Sequence, residues 1–379
     1  MVSILYFAHD LWDTAVERRV EMLRQGGATV TVVGFRRRAP ARATMLGDPV
    51  IDLGLVGDGA LGRRAAAILL KGLSAASWAK RLARPDVIMA RSLELLTLAA
   101  IYKAVRGVRA NLVYECLDIH RLMFSKGFAG KVLRALERRL LGGCTLVLTS
   151  SPAFAEQHFA RVQGRLRGVR LLENKLALGV GAAAGRPRPD HSPPWRIGWF
   201  GMIRCAKSLA ILEALCKAAP GKVEVLIAGR VAQSEFADFD ARIAGSGGVR
   251  FLGPYEPAEL EQLYSQVHFV WAIDFFEEGL NSAWLLPNRI YEGCAFGAVP
   301  IALRTTETGR WLMQHNVGLI LEAADSRLLA ERLEGVSPAA YGALADQVAA
   351  LPAAAVRTTA EDCLALVELM RAAAAGSVQ

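Results

Sequence analysis

The chain has little that would tie it to a membrane span, a metal or an oxidising compartment. No uninterrupted apolar run in its 379 residues reaches the roughly 18 that cross a bilayer. The six cysteines, Cys116, Cys144, Cys205, Cys216, Cys294 and Cys363, are scattered, no two closer than 11 positions. That spacing makes neither a CxxC metal site nor a disulfide framework, and points to a reduced, cytoplasmic setting. The N-terminus, MVSILYFAHD, has no basic leader and no cleavage site, so it reads as a buried first strand rather than a signal peptide. There is no GxGxxG fingerprint and no Walker lysine motif. The basic stretches lack the aromatic-rich loops that stack bases, which argues against nucleic acid as a partner.

What is present is ordinary globular material. Hydrophobic residues make up 53% and charged residues 21%, and the length fits two domains. The net charge of +9 is uneven: residues 1–190 carry about +15 and residues 191–379 about −6. One half therefore faces something anionic, such as an anionic membrane leaflet, unless the charge is only a solvated arginine-rich surface.

Short apolar runs alternate with helical spacing throughout. SILYFA (3–8), TVTVVGF (29–35), DVIMAR (86–91), NLVYEC (111–116), TLVLTS (145–150) and VRLLEN (169–174) read as strands. Segments with apolar spacing of three and four, ending near glycine, lie between them. A Gly, Ala and Pro-rich linker, 179–194, interrupts the pattern. The alternation restarts with WRIGWFG (195–201), VEVLIAG (223–229), VRFLG (249–253), FVWAI (269–273), AVPIAL (298–303) and VGLIL (317–321). The expected class is α/β, with two Rossmann-like domains of parallel strands at 1–178 and 195–355 that face a central cleft. A final helical stretch, 356–379, is free to pack across that cleft. Ligands in such sheets bind beyond the carboxyl ends of the strands, so chemistry belongs in the strand-to-helix loops.

The loop GWFGMIRCAKSL ends a strand at Gly201 and opens a helix near Lys207. Free N–H groups and the positive dipole end of that helix, with Arg204 and Lys207, form a diphosphate cradle. In PNRIYEGCAFGAVP, Asn288 reads as a helix cap. Glu292 then falls in the first turn, where it can accept ribose hydroxyls or simply face the dipole. Arg289 can reach a phosphate or hold that carboxylate. The preceding loop, FFEEGLNSAWLL, offers Asn281 and Ser282 to a sugar. DFD at 238–240 resembles a metal-binding DxD, but positions two apart on a helix point about 200° apart, so no metal site is expected.

These features, FGMIRCAKSLAILEAL, VEVLIAGR ending on Arg230, VRFLGPYEPAELEQLYSQV and PNRIYEGCAFGAVPI, cover most of residues 195–320 in order. They resemble the donor half of GT-B-fold glycosyltransferases, in particular family 4 and its exopolysaccharide-synthesis relatives. The resemblance implies a hexosyl- or glucuronosyltransferase that binds a nucleotide-diphosphate sugar as substrate and needs no cofactor. It places the diphosphate on Arg204 and Lys207, the ribose on Glu292, and the base beside Leu252, Gly253 and Pro254. Many members carry a second glutamate eight positions before the ribose-binding acid, where this chain has Trp284.

The first half resembles the family only in layout. In YECLDIHRLMF, Asp118 is the first choice and Glu115 the second for a base that takes the acceptor proton; His120 would support the sugar. His9, Asp10 and Asp13 are further candidates for acceptor contacts. The basic, apolar-interleaved stretch 61–84, with Arg63, Arg64, Lys71, Lys80 and Arg81, fits either a peripheral membrane helix or a packed one. The acceptor is expected to be a lipid-linked or growing saccharide at the inner face of the cytoplasmic membrane. A nucleotide-sugar epimerase and a non-catalytic adaptor of the same fold remain as alternatives.

Overall fold

The computed structural model describes residues 1–56, 61–80, 82–165, 167–180 and 189–378, apart from the side chains of residues 61–65. The chain forms two compact units, Met1–Glu173 with Thr359–Gln379, and Asn174–Thr358.

The first unit runs β1 (Ser3–Ala8), α1 (Thr14–Gln25), β2 (Thr29–Arg36), β3 (Thr44–Met45), β4 (Asp48–Leu55), α2 (Leu61–Leu73), α3 (Ala75–Trp78), β5 (Val87–Arg91), α4 (Ser92–Arg106), β6 (Asn111–Cys116), α5 (Phe128–Leu141), β7 (Cys144–Thr149) and β8 (Val169–Leu171). Its sheet has the order β3-β4-β2-β1-β5-β6-β7-β8, parallel except for the short β3–β4 pair. All six strands expected here are present; β3 and β4 were not anticipated. β1, β5 and β6 are almost wholly buried, as strands covered on both faces must be. Local signals set the helix ends. Asp13 caps α1 by accepting from the Ala15 N–H at 2.8 Å, and Gly107, at φ 60°, closes α4 in the left-handed region.

The second unit runs β9 (Trp195–Ile203), α6 (Ala206–Ala218), β10 (Val223–Val231), α7 (Phe239–Gly245), β11 (Val249–Phe251), α8 (Leu260–Tyr264), β12 (Phe269–Trp271), α9 (Asn288–Ala295), β13 (Val299–Leu303), α10 (Glu307–His315), β14 (Leu319–Leu321), α11 (Ser326–Glu334), α12 (Pro338–Ala349) and α13 (Ala353–Val356). Its strands follow the order β11-β10-β9-β12-β13-β14, all parallel. Asp238 sits at the N-cap of α7 and Phe239 is buried, so the DFD triplet straddles a helix start.

Two boundaries differ from the sequence reading. Residues 174–178 belong to the second unit, because Leu176 exchanges backbone hydrogen bonds with Val356 and Thr358 at 2.9 and 2.8 Å. The last helix, α14 (Ala360–Ala375), belongs to the first. A capping box between Thr359 and Asp362 starts it, and its buried residues Cys363, Leu366, Val367 and Met370 join the core around α1. Contact there is close: a Cβ at Gly26 would lie 2.2 Å from the Cys363 carbonyl oxygen. The basic stretch 61–84 is broken at Ser74 into α2 and α3. The side chains of Arg63 and Arg64, and Arg81, lie outside the described residues, as do residues 181–188 of the expected linker.

Candidate functional site

In the second unit, β9 and β12 are neighbours although α6, β10 and β11 separate them in sequence. The order reverses between them, which is where open α/β sheets bind ligands. Bare backbone meets at the carboxyl end of β9. Gly201 (φ 121°) pairs in register with Gly229 (φ 137°) on β10, and a Cβ on Gly229 would fall 1.7 Å from the Gly201 carbonyl oxygen. Only glycine fits that position.

Arg204 stands just before the α6 cap, Cys205, and Lys207 is the second helical residue. Both reach one segment, residues 274–278. Lys207 Nζ donates to both Glu278 oxygens, at 2.6 and 2.7 Å, and lies 4.4 Å from the centre of the Phe275 ring. The Arg204 guanidinium covers Phe276 at 4.6 Å, with Asp274 Oδ2 3.9 Å from its Nη2. The two cations therefore converge on one acidic and aromatic segment. Their carboxylate partners were not foreseen. The Lys207–Glu278 pair is half exposed, and such a pair in water is weak.

Around α9 the structure changes details of the sequence reading. Pro287, not Asn288, occupies the N-cap, and no side chain caps the helix. Glu292 falls in the second turn, too far along for a first-turn dipole role. Arg289 and Glu292 are both buried. The Tyr264 hydroxyl donates to Glu292 Oε2 at 3.1 Å, and Arg289 Nε is buried with no hydrogen-bond partner. Asn281 and Ser282 are buried inside their loop rather than displayed on it. Ser282 Oγ accepts from the Glu277 N–H at 2.8 Å, so it holds the loop. Arg230 is exposed at the end of β10, and the Gly229 N–H donates to the Gly253 carbonyl at 2.8 Å, which fixes the turn at Leu252 and Gly253.

In the first unit, His9 Nε2 is 3.1 Å from Asp13 Oδ2. Burial would raise the Asp13 pKa, but the His9 hydrogen bond and the Arg91 charge outweigh it and hold the carboxyl well below the usual range. Asp118 is exposed, and its Oδ1 accepts from the Ile119 N–H at 2.8 Å. His120 is exposed and caps the turn Arg121–Phe124 through Nδ1. All four line one cavity of about 600 Å³.

Glu115 does not. It is fully buried and accepts from Tyr6 Oη at 2.5 Å, Arg19 Nε at 2.6 Å and Arg91 Nε at 2.8 Å. Burial pushes its pKa up, yet Arg91 and Arg19 together pull it down to about 2. A carboxylate with no exposed oxygen and two guanidinium partners cannot collect an acceptor proton, so the second-choice base is a structural ion.

A family model described as a glycosyl transferase 4-like domain matches residues 13–174. The succinoglycan biosynthesis protein ExoL of Rhizobium meliloti is 44% identical over 373 residues, 97% of this chain and 93% of that protein. The chain belongs to this glycosyltransferase family. Solved structures of lower identity share the transferase's GT-B fold. HepE from Anabaena, in complex with UDP and glucose, is 18% identical with a TM-score of 0.71 over 97% of this chain and 98% of HepE. Its complex with UDP-glucose gives 0.72 over the same shares. The lipopolysaccharide outer core galactosyltransferase WaaB is 12% identical with a TM-score of 0.60, covering 98% of both chains.

The family assignment removes the epimerase and adaptor alternatives. The transferase's sequence pointed to the helix start after β9 and to Glu292. It pointed to the loop 275–286 for Asn281 and Ser282 rather than for its acids, and it did not single out Tyr264. A signal for the acids existed: three acids and two aromatics, DFFEE (274–278), follow soon after β12.

Proposed function

We propose that the transferase binds a UDP-sugar in its second unit and passes the sugar to a hydroxyl of a lipid-linked saccharide during exopolysaccharide synthesis. The observation that carries the donor assignment is the convergence of Arg204 and Lys207 on residues 274–278 at the start of α6. In this reading the diphosphate replaces Asp274 and Glu278 on the two cations. Glu292, held by Tyr264, takes the ribose hydroxyls, and Arg289 Nε supplies a further donor. Leu252 and Gly253 lie beside the base. The complex of HepE with UDP-glucose supports uracil and a hexose. As the acceptor oxygen attacks the anomeric carbon, the bond to the diphosphate breaks. The nucleoside diphosphate leaves with the electron pair, its charge spread over two side chains and the helix N-terminus. Those cations make a divalent metal unnecessary. In this reading Asp118 and His120 contact the acceptor, and Asp118 takes its proton.

Membrane attachment at the cytoplasmic face belongs to the same reading. Leu70 and Leu73 on α2 and Phe128 and Val132 on α5 are exposed apolar residues of the first unit, the half that carries the positive charge. Apolar side chains among cations favour an anionic leaflet.

The test is transfer of radiolabelled sugar from UDP-glucose and UDP-galactose to a membrane lipid extract. The parent should transfer from one of them and keep its rate in EDTA. Arg204→Ala should lose at least about 100-fold in kcat/KM. Full activity of Arg204→Ala, or complete loss in EDTA, would contradict the reading.

A further inference from the structure

Helix α9 carries Arg289 and Glu292, yet it has only eight residues and no side chain caps its start. A helix that short owes its place to what packs around it. Its far end is held from 62 positions along the chain. Arg357, which follows α13, donates from Nη2 to the carbonyl of Ala295, the last residue of α9, at 2.9 Å. Carbonyls of a final helical turn lack partners of their own, and a cation there also faces the negative end of the helix dipole. Arg357 Nη1 donates to the Val180 carbonyl. Both partners are carbonyls, so the planar guanidinium brackets two backbone segments instead of forming half of an ion pair. A parallel bridge between Leu176 and Arg357 fixes the backbone of the arginine itself.

The same side chain reaches Glu292 by a second route. Its guanidinium lies 5.5 Å from the centre of the ring of Phe296, the C-cap residue of α9. Phe296 stacks on Tyr264, with ring centres 5.9 Å apart and planes 17° from parallel. Phe200 meets Tyr264 edge-on at 5.0 Å. Leu176, Phe200, Tyr264 and Phe296 share one buried cluster, and the Tyr264 hydroxyl is the donor to Glu292. There is little slack in α9: a Cβ at Gly293 would lie 2.6 Å from Cγ1 of Val270 on β12. Arg357 therefore meets both the backbone end of α9 and the aromatic stack that holds the carboxylate.

We propose that Arg357 is a positioning residue for the donor, which sets the Glu292 carboxylate against the ribose through the end of α9 and through the Phe296–Tyr264 stack. It is not itself a ligand of the nucleotide. The inference rests on the ribose assignment of Glu292 made above, and its mark is selective: loss of Arg357 weakens recognition of the ribose hydroxyls and spares the grip on the diphosphate.

Calorimetric titration of UDP and of 2′,3′-dideoxy-UDP into the full chain tests it. The parent should bind UDP at least about tenfold more tightly than the dideoxy nucleotide, the worth of hydroxyls bonded to a carboxylate. Glu292→Ala should erase that preference. Arg357→Leu and Phe296→Leu should each cut it at least about threefold, while the dideoxy nucleotide binds within about twofold of its affinity for the parent. Arg357→Lys, which keeps the charge but lacks the two-pronged fork, should restore part of the preference. An arginine with only a structural part would lower the midpoint in urea and leave the preference of the folded variants untouched. That result in Arg357→Leu and Phe296→Leu, folded by circular dichroism, with the preference lost in Glu292→Ala, overturns this proposal alone. If Arg357→Leu does not fold, Arg357→Lys and Phe296→Leu decide in the same way. A parent that binds both nucleotides equally, or a Glu292→Ala variant that prefers UDP as the parent does, removes the ribose assignment and this inference with it.

Discussion

Glu115 and Asp118 are two acids three positions apart whose surroundings give them opposite parts. In sequence Glu115 falls near the end of the strand 111–116 and Asp118 just after it, and nothing in the residue types separates them. The structure does, through partners from far along the chain: Arg19 on α1 and Arg91 on β5 enclose Glu115, while Asp118 stays exposed. A buried acid with two guanidiniums is visible only once α1, β5 and β6 are packed together. Replacing Glu115 by Gln leaves two buried cations without their counter-ion. It should destabilise the first unit by about 3–5 kcal/mol, read as a lower midpoint in urea. The pH dependence follows from a folded pKa of about 2 against an ordinary 4.5. The carboxylate's stabilisation is complete above about pH 4.5 and is lost as pH falls towards 2. Acid unfolding of the parent should therefore show a steep limb in that window that Glu115→Gln lacks.

At the scale of elements, the strands were legible because buried parallel strands read as short apolar runs. Thr44–Met45 and Asp48–Leu55 escaped because their pattern is mixed and they sit at the sheet edge. The starts of α6 and α9 were legible to within a residue. The difference at α9 had a consequence: with Pro287 at the cap, Glu292 moves into the second turn and is buried against Tyr264. The loop after β12 showed its acids and aromatics in sequence but not their partners, cations about 70 positions earlier. In the proposed donor complex its carboxylates compete with the diphosphate for Lys207 and Arg204. Glu278→Gln should tighten UDP-glucose binding two- to fivefold at low salt, the range of an exposed ion pair. The gain should shrink as salt is added. Weaker binding would mean that Glu278 shapes the site rather than competing for it.

For the whole molecule, the charge split and the family resemblance were readable from sequence. The resemblance was read in residues 195–320, whereas the family model matches residues 13–174, a half that had looked similar only in layout. The grouping of residues 359–379 with the first unit was not readable, because the apolar face of α14 is indifferent to its partner until Gly26 and the α1 core accept it. The membrane reading also belongs at this scale. The transferase should co-sediment with vesicles containing anionic lipid, bind less as salt rises, and bind about tenfold more weakly as Phe128→Glu. Equal binding to neutral vesicles at every salt concentration would remove the electrostatic part of that account.

The most direct measurement is calorimetric titration of UDP, UDP-glucose and uridine into the parent and into Arg204→Ala/Lys207→Ala. If the α6 start grips the diphosphate, the double variant loses at least about 100-fold in affinity for UDP and UDP-glucose while its weak binding of uridine is unchanged. A double variant that binds UDP as tightly as the parent would contradict the account.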